Sequence, residues 1–543
     1  MERITGSCYK AMLSYGVHHL DKHCAIVNDL NVFPVPDGDT GTNMVMTMKT
    51  GLHSLSETTD PLSSVAQSFA NAAVFGARGN SGVIISQFFK GISEGFKDEH
   101  TADPSVLFRA LDKGCEYAYA AVAKPVEGTI LTVIKDATNA IGENLGELRT
   151  IDDVIAVFLK EARRSLENTP KLLPILEKAG VVDSGGSGVV YFFEGVQRYL
   201  NGEAPEAAEV ADTSEQSQYV DYSVFHKNSN FEYGYCTETL LQLTVDREDF
   251  SYSDFVAGLE RMGESLATSL EGDKVKIHIH TKTPEQILTY CHGFGEFLSL
   301  KIENMSVQHT QTTQKFLCSP NEGEGLFAVV AVAPNAMLQQ MLAEMGADVV
   351  ILSKEVPSSK DFLEAFEQVS AKEILVFPNS SNSILSAMQA GSLYKKAKIT
   401  VLNCRSIAEC YASLPIIDFN ETDVHAIVSE VNDIIGNIYE VAVIHATKNI
   451  QYGNKTIVKN DYFALSGEEI LLTGDQFERV ALLTVNEVLR KQERSVLTLF
   501  YGKNVSEKQI HSLASRIGEA EDEVEICVIS TQNPIYDLIL SFE

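Results

Sequence analysis

The sequence predicts a multidomain chain: an all-α N-terminal domain, then an α/β middle domain and an α/β C-terminal region. Three observations predict it. The chain has 543 residues, enough for roughly three or four domains. Apolar residues recur at helical spacing through the first 200 or so positions and at strand-like spacing afterwards. Two segments poor in large apolar residues divide the chain.

In the first domain (residues 1–201), Met44 to Leu55 and Ala66 to Ala77 read as helices. Phe108 to Ala123 and Asp152 to Glu167 carry apolar residues every three or four positions and read likewise. Residues 202–218 are acidic and rich in Ala and Ser. Such a segment buries too little surface to fold alone and reads as a linker. The middle domain (219–315) opens with strand-like alternation at Leu240 to Val245 and Lys274 to His280. A helix is expected over Tyr252 to Leu270, and another from Pro284. Ser319 to Gly325 reads as a second linker.

The C-terminal region (327–543) holds apolar runs at Phe327 to Val332, Val349 to Leu352, Glu373 to Phe377 and Ile399 to Leu402. With helical segments between them, these read as buried parallel strands. Val480 to Val485, Val496 to Phe500 and Val524 to Ser530 are candidates for another sheet. One unit or two fits this stretch.

The formal net charge is −31. It argues against a nucleic-acid binder, which shows a basic face, and disfavours anionic membrane surfaces. No apolar run approaches the roughly 18 residues of a membrane span, and no secretory signal is visible. Nine cysteines without a CxxC pair fit a reduced, cytoplasmic chain.

The chemistry concentrates in glycine-rich turns. Asn31-Val-Phe-Pro-Val-Pro-Asp37-Gly-Asp39-Thr-Gly-Thr-Asn43 sets two carboxylates either side of one glycine. Acids that close repel unless a cation sits between them, and the usual one is Mg2+ with a nucleotide's phosphates. Gly76-Ala-Arg-Gly-Asn-Ser81-Gly82 and Asp183-Ser184-Gly-Gly-Ser187-Gly188 each lead into an apolar helical stretch. Glycines let backbone N–H groups approach a ligand, and a helix N-terminus adds about half a positive charge. One such turn alone is usually an N-cap; two beside a paired-Asp turn point to phosphate. Several known patterns are excluded. There is no GxxxxGK[ST]. Counting from Asp37, an EF-hand would need Gly and an acid where Thr42 and Met48 stand. GxSxG fails because Val follows Gly82 and Gly188. Arg78 is a candidate to neutralise transferring charge, or an ordinary surface arginine.

Asn31 to Asn43, Gly76 to Gly82, Pro125 to Thr132 and Asp183 to Gly188 together resemble the ATP-binding subunit of dihydroxyacetone kinases. The resemblance covers about 1–200 and implies an antiparallel helical barrel with Mg-ATP at one end. Asn31 stands where that family has a third Asp, and an amide oxygen is the weaker Mg2+ ligand. Over its whole length the chain resembles the bacterial fatty acid kinase catalytic subunit. Tyr233 to Glu238 and His278-Ile-His280-Thr281 carry the match in the middle domain. The tail resembles the fatty-acid-binding partner proteins in architecture.

This resemblance implies an ATP-dependent kinase that makes acyl phosphate for phospholipid synthesis. Its fatty acid is presented by a separate binding protein. Asp37 and Asp39 would be catalytic and hold Mg2+. Asn31, Thr42, Asn43, Ser81, Gly82, Thr129, Asp183, Ser184, Gly185, Gly186 and Ser187 would contact or enclose ATP. Two other readings stay open: a kinase for a small polyol or ketose, and a non-catalytic nucleotide-sensing scaffold.

In the middle domain, His278 and His280 alternate on one strand and so point to one face. With Cys236 alongside they would make a three-ligand Zn2+ site with an open fourth position. The plainer reading is two histidines on an exposed strand face. The resemblance favours zinc, with Gln308-His309 as a further ligand or supporting partner. Pro378 to Asn382 follows a buried strand, where open α/β sheets bind ligands; a turn with a helix cap is the simpler reading. Partner docking or homodimerisation is the expected use of the tail.

Overall fold

The computed structural model describes residues 1–31, 38–55, 61–203, 235–245, 250–271, 273–304, 315–318, 325–419, 421, 423–447, 449–452, 455–467, 469–521, 523–533 and 536–543. Asp37, the acidic segment from 204 onward, Gln308, His309 and most of the second linker lie outside these. The chain forms two compact units. One joins Met1–Ala207 to Leu317–Glu543, and the other is Ala208–Phe316.

Among the described residues the first unit begins with ten helices: α1 (Gly6–Lys22), α2 (Cys24–Leu30), α3 (Thr40–His53), α4 (Leu62–Phe75), α5 (Gly79–Gly95), α6 (Pro104–Ala120), α7 (Ile130–Asn144), α8 (Ile151–Leu172), α9 (Pro174–Ala179) and α10 (Ser184–Leu200). Neighbours in sequence pack together, and α1 returns against α10 to close the barrel. Inside runs one apolar cluster. Phe158 and Phe193 lie 4.2 Å apart between ring centroids, and Phe89 and Phe192 lie 5.4 Å apart. Burying such rings contributes about 1.5–3 kcal/mol each, which offsets the many glycines at the helix starts.

The same unit continues into a sheet ordered β5-β7-β6-β8-β9: β5 (Phe316–Cys318), β6 (Gly325–Ala333), β7 (Val349–Leu352), β8 (Ala371–Phe377) and β9 (Lys398–Val401). β6 pairs in parallel with β7 and β8, and β8 with β9. A second sheet is ordered β14-β13-β10-β17-β15-β16. Its strands are β10 (Tyr439–His445), β13 (Tyr462–Ser466), β14 (Glu469–Gly474), β15 (Val496–Tyr501), β16 (Glu525–Ser530) and β17 (Leu538–Phe542). The hairpin of β11 (Ile450–Tyr452) and β12 (Lys455–Ile457) stands beside it.

Val480–Val485, expected as a strand, lies inside the helix Phe477–Lys491. Its buried residues are Phe477, Val480, Ala481, Thr484, Val485 and Val488. That three-four spacing is helical, and a six-residue apolar window was too short to reveal it.

The second unit is a four-stranded antiparallel sheet ordered β2-β3-β1-β4: β1 (Tyr235–Leu243), β2 (Glu264–Glu271), β3 (Lys274–Thr281) and β4 (Gly295–Asn304). Helices α11 (Tyr252–Glu260) and α12 (Pro284–His292) bury Phe255, Leu259 and Ile287 against Ile277 and Ile279. The helix expected over 252–270 therefore ends at Glu260, and β2 takes the rest. Gly263 breaks the run, and strand pairing with β3 overrides local helix propensity.

Candidate functional site

Four helix N-termini meet at one end of the barrel: α3, α5, α7 and α10. Each begins on a glycine-bearing turn from the sequence analysis, and specific hydrogen bonds tie them together.

Gly38 has φ +54° and Gly79 has φ +62°. Both are left-handed conformations that glycine adopts without steric cost, so the Asp39 and Arg78 turns can fold tightly. Asp39 is the N-cap residue of α3, yet its side chain makes no capping bond to its own helix. Instead the carboxylate is half-buried beside the Asn43 amide and accepts from Asn382 Nδ2 at 3.3 Å. Burial pushes its pKa up, and the Asn43 and Asn382 hydrogen bonds pull it back only partly. A carboxylate short of hydration and not used as a cap suits a hard cation.

Asn43 and Thr47 join α3 to α5. A Cβ on Gly79 would stand 2.6 Å from Asn43 Nδ2, so the two turns touch directly. Buried Thr47 donates to Asn43 O at 2.7 Å and accepts from Arg78 N at 3.2 Å. Ser81 and Gly82 lie in the first turn of α5, which no side chain caps. Its leading N–H groups thus remain available to an anion.

Thr40 and Ser184 join α3 to α10, their hydroxyls 3.3 Å apart. Asp183 caps α10 by accepting from Gly186 N at 2.7 Å, and a backbone bond from Ile130 ties it to α7. Burial raises its pKa to about 6, against the pull of those two amides. Thr129 precedes α7 and donates its hydroxyl to Val126 O rather than capping the helix. Gly185 and Gly186 approach Ile130 and Val133 on α7, and Ser187 is buried.

Two of the candidate residues also make contacts within the protein. Thr42 gives its N–H to Asn28 Oδ1 (3.1 Å) and takes Asn28 Nδ2 on its hydroxyl (3.0 Å). It binds α2 to α3. The Arg78 guanidinium donates to Val356 O at 3.1 Å and lies 3.8 Å from Glu355. Asn31 closes α2 as its C-cap residue. The sequence carried no signal for Asn28 or Thr47, because each acts through a contact between segments; Asn382 lay in the strand-end segment already singled out, but its partner Asp39 was not legible.

A cavity of about 1020 Å³ opens beside Asp39. Gly38, Asp39, Thr42 and Asn43 form one wall. The others are the loops after β6, β7 and β8, with Arg405, Ser406 and Glu440. The Pro378–Asn382 loop is thus both a helix cap, through Ser380, and part of a cavity at the strand ends. Half-buried Glu440 accepts from the Ser406 hydroxyl, and desolvation raises its pKa to about 7.

In the second unit the backbone register pairs Cys236 with His280 and Glu238 with His278. The side chains of Cys236, His278 and His280 lie outside the described residues. Among the described residues no group of three His, Cys, Asp or Glu could hold a metal, and no helix is long and apolar enough to cross a membrane.

Three family models match the chain: the DAK2 domain over 34–198, the FakA-like middle domain of fatty acid kinase over 232–312, and the FakA-like C-terminal domain of fatty acid kinase over 328–543. An uncharacterized protein of Staphylococcus aureus (SAB1090) is 31% identical over 100% of both chains. Protein YloV of Bacillus subtilis is 32% identical over 99% of both. Among solved structures, the dihydroxyacetone kinase of C. freundii in complex with AMP-PNP and Mg2+ matches 56% of this chain and 57% of that one, at 11% identity and a TM-score of 0.33.

Proposed function

Because the chain belongs to the FakA-like fatty acid kinase family, we propose that it transfers the γ-phosphoryl group of ATP to a fatty acid's carboxylate. The acid arrives on a separate fatty-acid-binding protein, and acyl phosphate leaves. One observation carries this reading: four helix N-termini converge beside a half-buried carboxylate that caps no helix. The N–H groups suit phosphate oxygens, and the carboxylate suits the cation that travels with them.

Asp39, with Asp37 two residues before it, would hold Mg2+, which when bound would supply neutralisation of the phosphates' charge. The first turns of α5 and α10, with Ser81, Gly82 and Ser184, would receive the phosphates. Asn43 fixes Asp39 against the Gly79 turn, so the carboxylate is placed before the nucleotide enters. An acceptor carboxylate oxygen then bonds to the γ-phosphorus, and the bond to the bridging oxygen breaks as ADP leaves. A carboxylic acid with a pKa of about 4–5 is already ionised at neutral pH, so no general base is required.

The Cys236–His280 register and the alternation of His278 with His280 support a Zn2+ site in the middle domain. A second function, a nucleotide-sensing scaffold, draws support from the C-terminal region's position against Asp39.

The test is ATP consumption with Mg2+, oleate and an oleate-binding protein, with acyl phosphate trapped as the hydroxamate. Turnover that depends on oleate and disappears in Asp37→Ala is expected. ATP consumption indifferent to oleate would remove the acyl acceptor. ATP binding without turnover on any acceptor would favour the scaffold.

A further inference from the structure

Within the first unit, the helix Ser381–Leu393 of the C-terminal region packs along α5 of the barrel. Asn382 and Gln389 stand seven residues apart on it, close to two turns, so they share one face. Gln389 fixes that face on the barrel. Its buried amide donates to Val74 O at 2.5 Å and accepts from Gln87 Nε2 on α5 at 2.9 Å. Ser386, Ala387 and Ala390 of the helix are buried, as are Val74, Ala77 and Val83 of the barrel. Apolar burial and hydrogen bonds together hold the helix in place.

The start of the same helix is pinned as well. Ser380 caps it, accepting from Asn382 N at 3.2 Å. Asn379 has φ +55°, a left-handed conformation that asparagine tolerates better than most residues. Its side chain donates to Val332 O of β6 at 2.7 Å and accepts from the Cys404 thiol at 3.2 Å. The turn that carries Asn382 is therefore tied to β6 and to the segment after β9.

Held in this way, Asn382 donates to Asp39 Oδ2 at 3.3 Å and lines the same cavity as Asp39, Thr42 and Asn43. The Asn43 amide bonds the same carboxylate from the barrel side. Two amides from distant parts of the chain thus set the direction of one carboxylate. The choice of amides matters. An arginine or lysine in either place would pair with Asp39 and repel an incoming cation. A neutral amide orients the group and leaves its charge in place. A carboxylate offers about four acceptor sites, so these bonds leave room for a metal.

We propose that Asn382 is a positioning residue for the metal–nucleotide site. It holds the Asp39 carboxylate in the orientation that a divalent cation on the phosphates requires. The C-terminal region would then complete a site whose other described parts lie in the barrel. The inference rests on the kinase reading above. Hydrogen bonds that orient a ligating carboxylate carry about 10–100-fold of metal affinity.

The test separates metal from nucleotide. AMP-PNP binding to the full chain is titrated across a Mg2+ series and in EDTA, for wild type and Asn382→Ala, and both proteins are melted. The Mg2+ concentration for half-saturation should rise at least roughly tenfold in the variant. Its affinity in EDTA should stay within about twofold of wild type. An unchanged Mg2+ requirement would overturn the inference. Equal loss with and without metal, whether or not the melting temperature falls, would make Asn382 a structural contact and overturn it too. Wild type that binds AMP-PNP no better with Mg2+ than in EDTA would count against the kinase reading itself, and would remove this inference with it.

Discussion

Asn382 donates its side-chain amide to the Asp39 carboxylate at 3.3 Å across 343 residues of sequence. The contact joins the first turn of the helix Ser381–Leu393 to the N-cap of α3. It is also one of the hydrogen bonds that stabilise the charged form of Asp39 against its burial.

Asn382→Asp should loosen this contact, because it sets a second carboxylate against the first. Loss of roughly 1 kcal/mol at a partly exposed pair corresponds to about a fivefold shift in equilibrium. The Ser359 N–H donates to Ala77 O of the barrel at 3.1 Å, and hydrogen exchange of the peptide containing it should quicken by about that factor. An unchanged rate would show that the Asn382–Asp39 bond does not help hold these two segments together.

Thr47→Val keeps the shape of a fully buried side chain but leaves the Arg78 N–H without its acceptor. An unmet buried donor costs about 1–3 kcal/mol. Thermal unfolding should record a loss in that range. Nucleotide affinity should fall as well, since the start of α5 is no longer fixed to α3. A variant as stable as wild type would remove Thr47 from the joint.

Asp183 gives a pH signature. Its folded pKa, about 6, lies above the ordinary carboxyl value of 3.8, so the folded state holds the proton more tightly. The resulting stabilisation is fully present below about pH 3.8 and is lost as pH rises through about 6. Relative to Asp183→Asn, wild type should therefore gain about 2 kcal/mol between pH 7.5 and pH 4.5. Denaturant unfolding of both proteins at the two pH values checks this. A difference that is flat with pH would mean that Asp183 stays ionised as a cap.

Metal analysis addresses the middle domain. About one zinc per chain is expected in protein purified without chelator, and none in His278→Ala. Zinc-free wild type would return these residues to an ordinary strand.

The local features were legible in the sequence because they rest on short-range rules. Gly38 and Gly79 marked turns that require positive φ, and Asp183 and Ser380 marked helix starts. The parallel strands β6 to β9 announced themselves as continuous apolar runs. Helix Phe477–Lys491 and strand Glu264–Glu271 were misread, since a short apolar window does not distinguish the two periods and pairing with β3 is a tertiary effect. Nothing local pointed to Thr47 as the α3–α5 joint, to Asn28 as the partner of Thr42, or to the meeting of Gln389 with Val74. Such contacts depend on which segments the fold brings together.

The central claim is that the Asp39 turn and the four helix N-termini around it hold Mg-nucleotide. Calorimetric titration of wild type and Asp39→Asn with AMP-PNP in the presence of Mg2+ tests it most directly. Asp39→Asn should lose at least roughly thirtyfold in affinity, about 2 kcal/mol. Its melting temperature should not fall, because a carboxylate disfavoured by burial has been removed. Unchanged affinity in a folded Asp39→Asn protein would contradict the account.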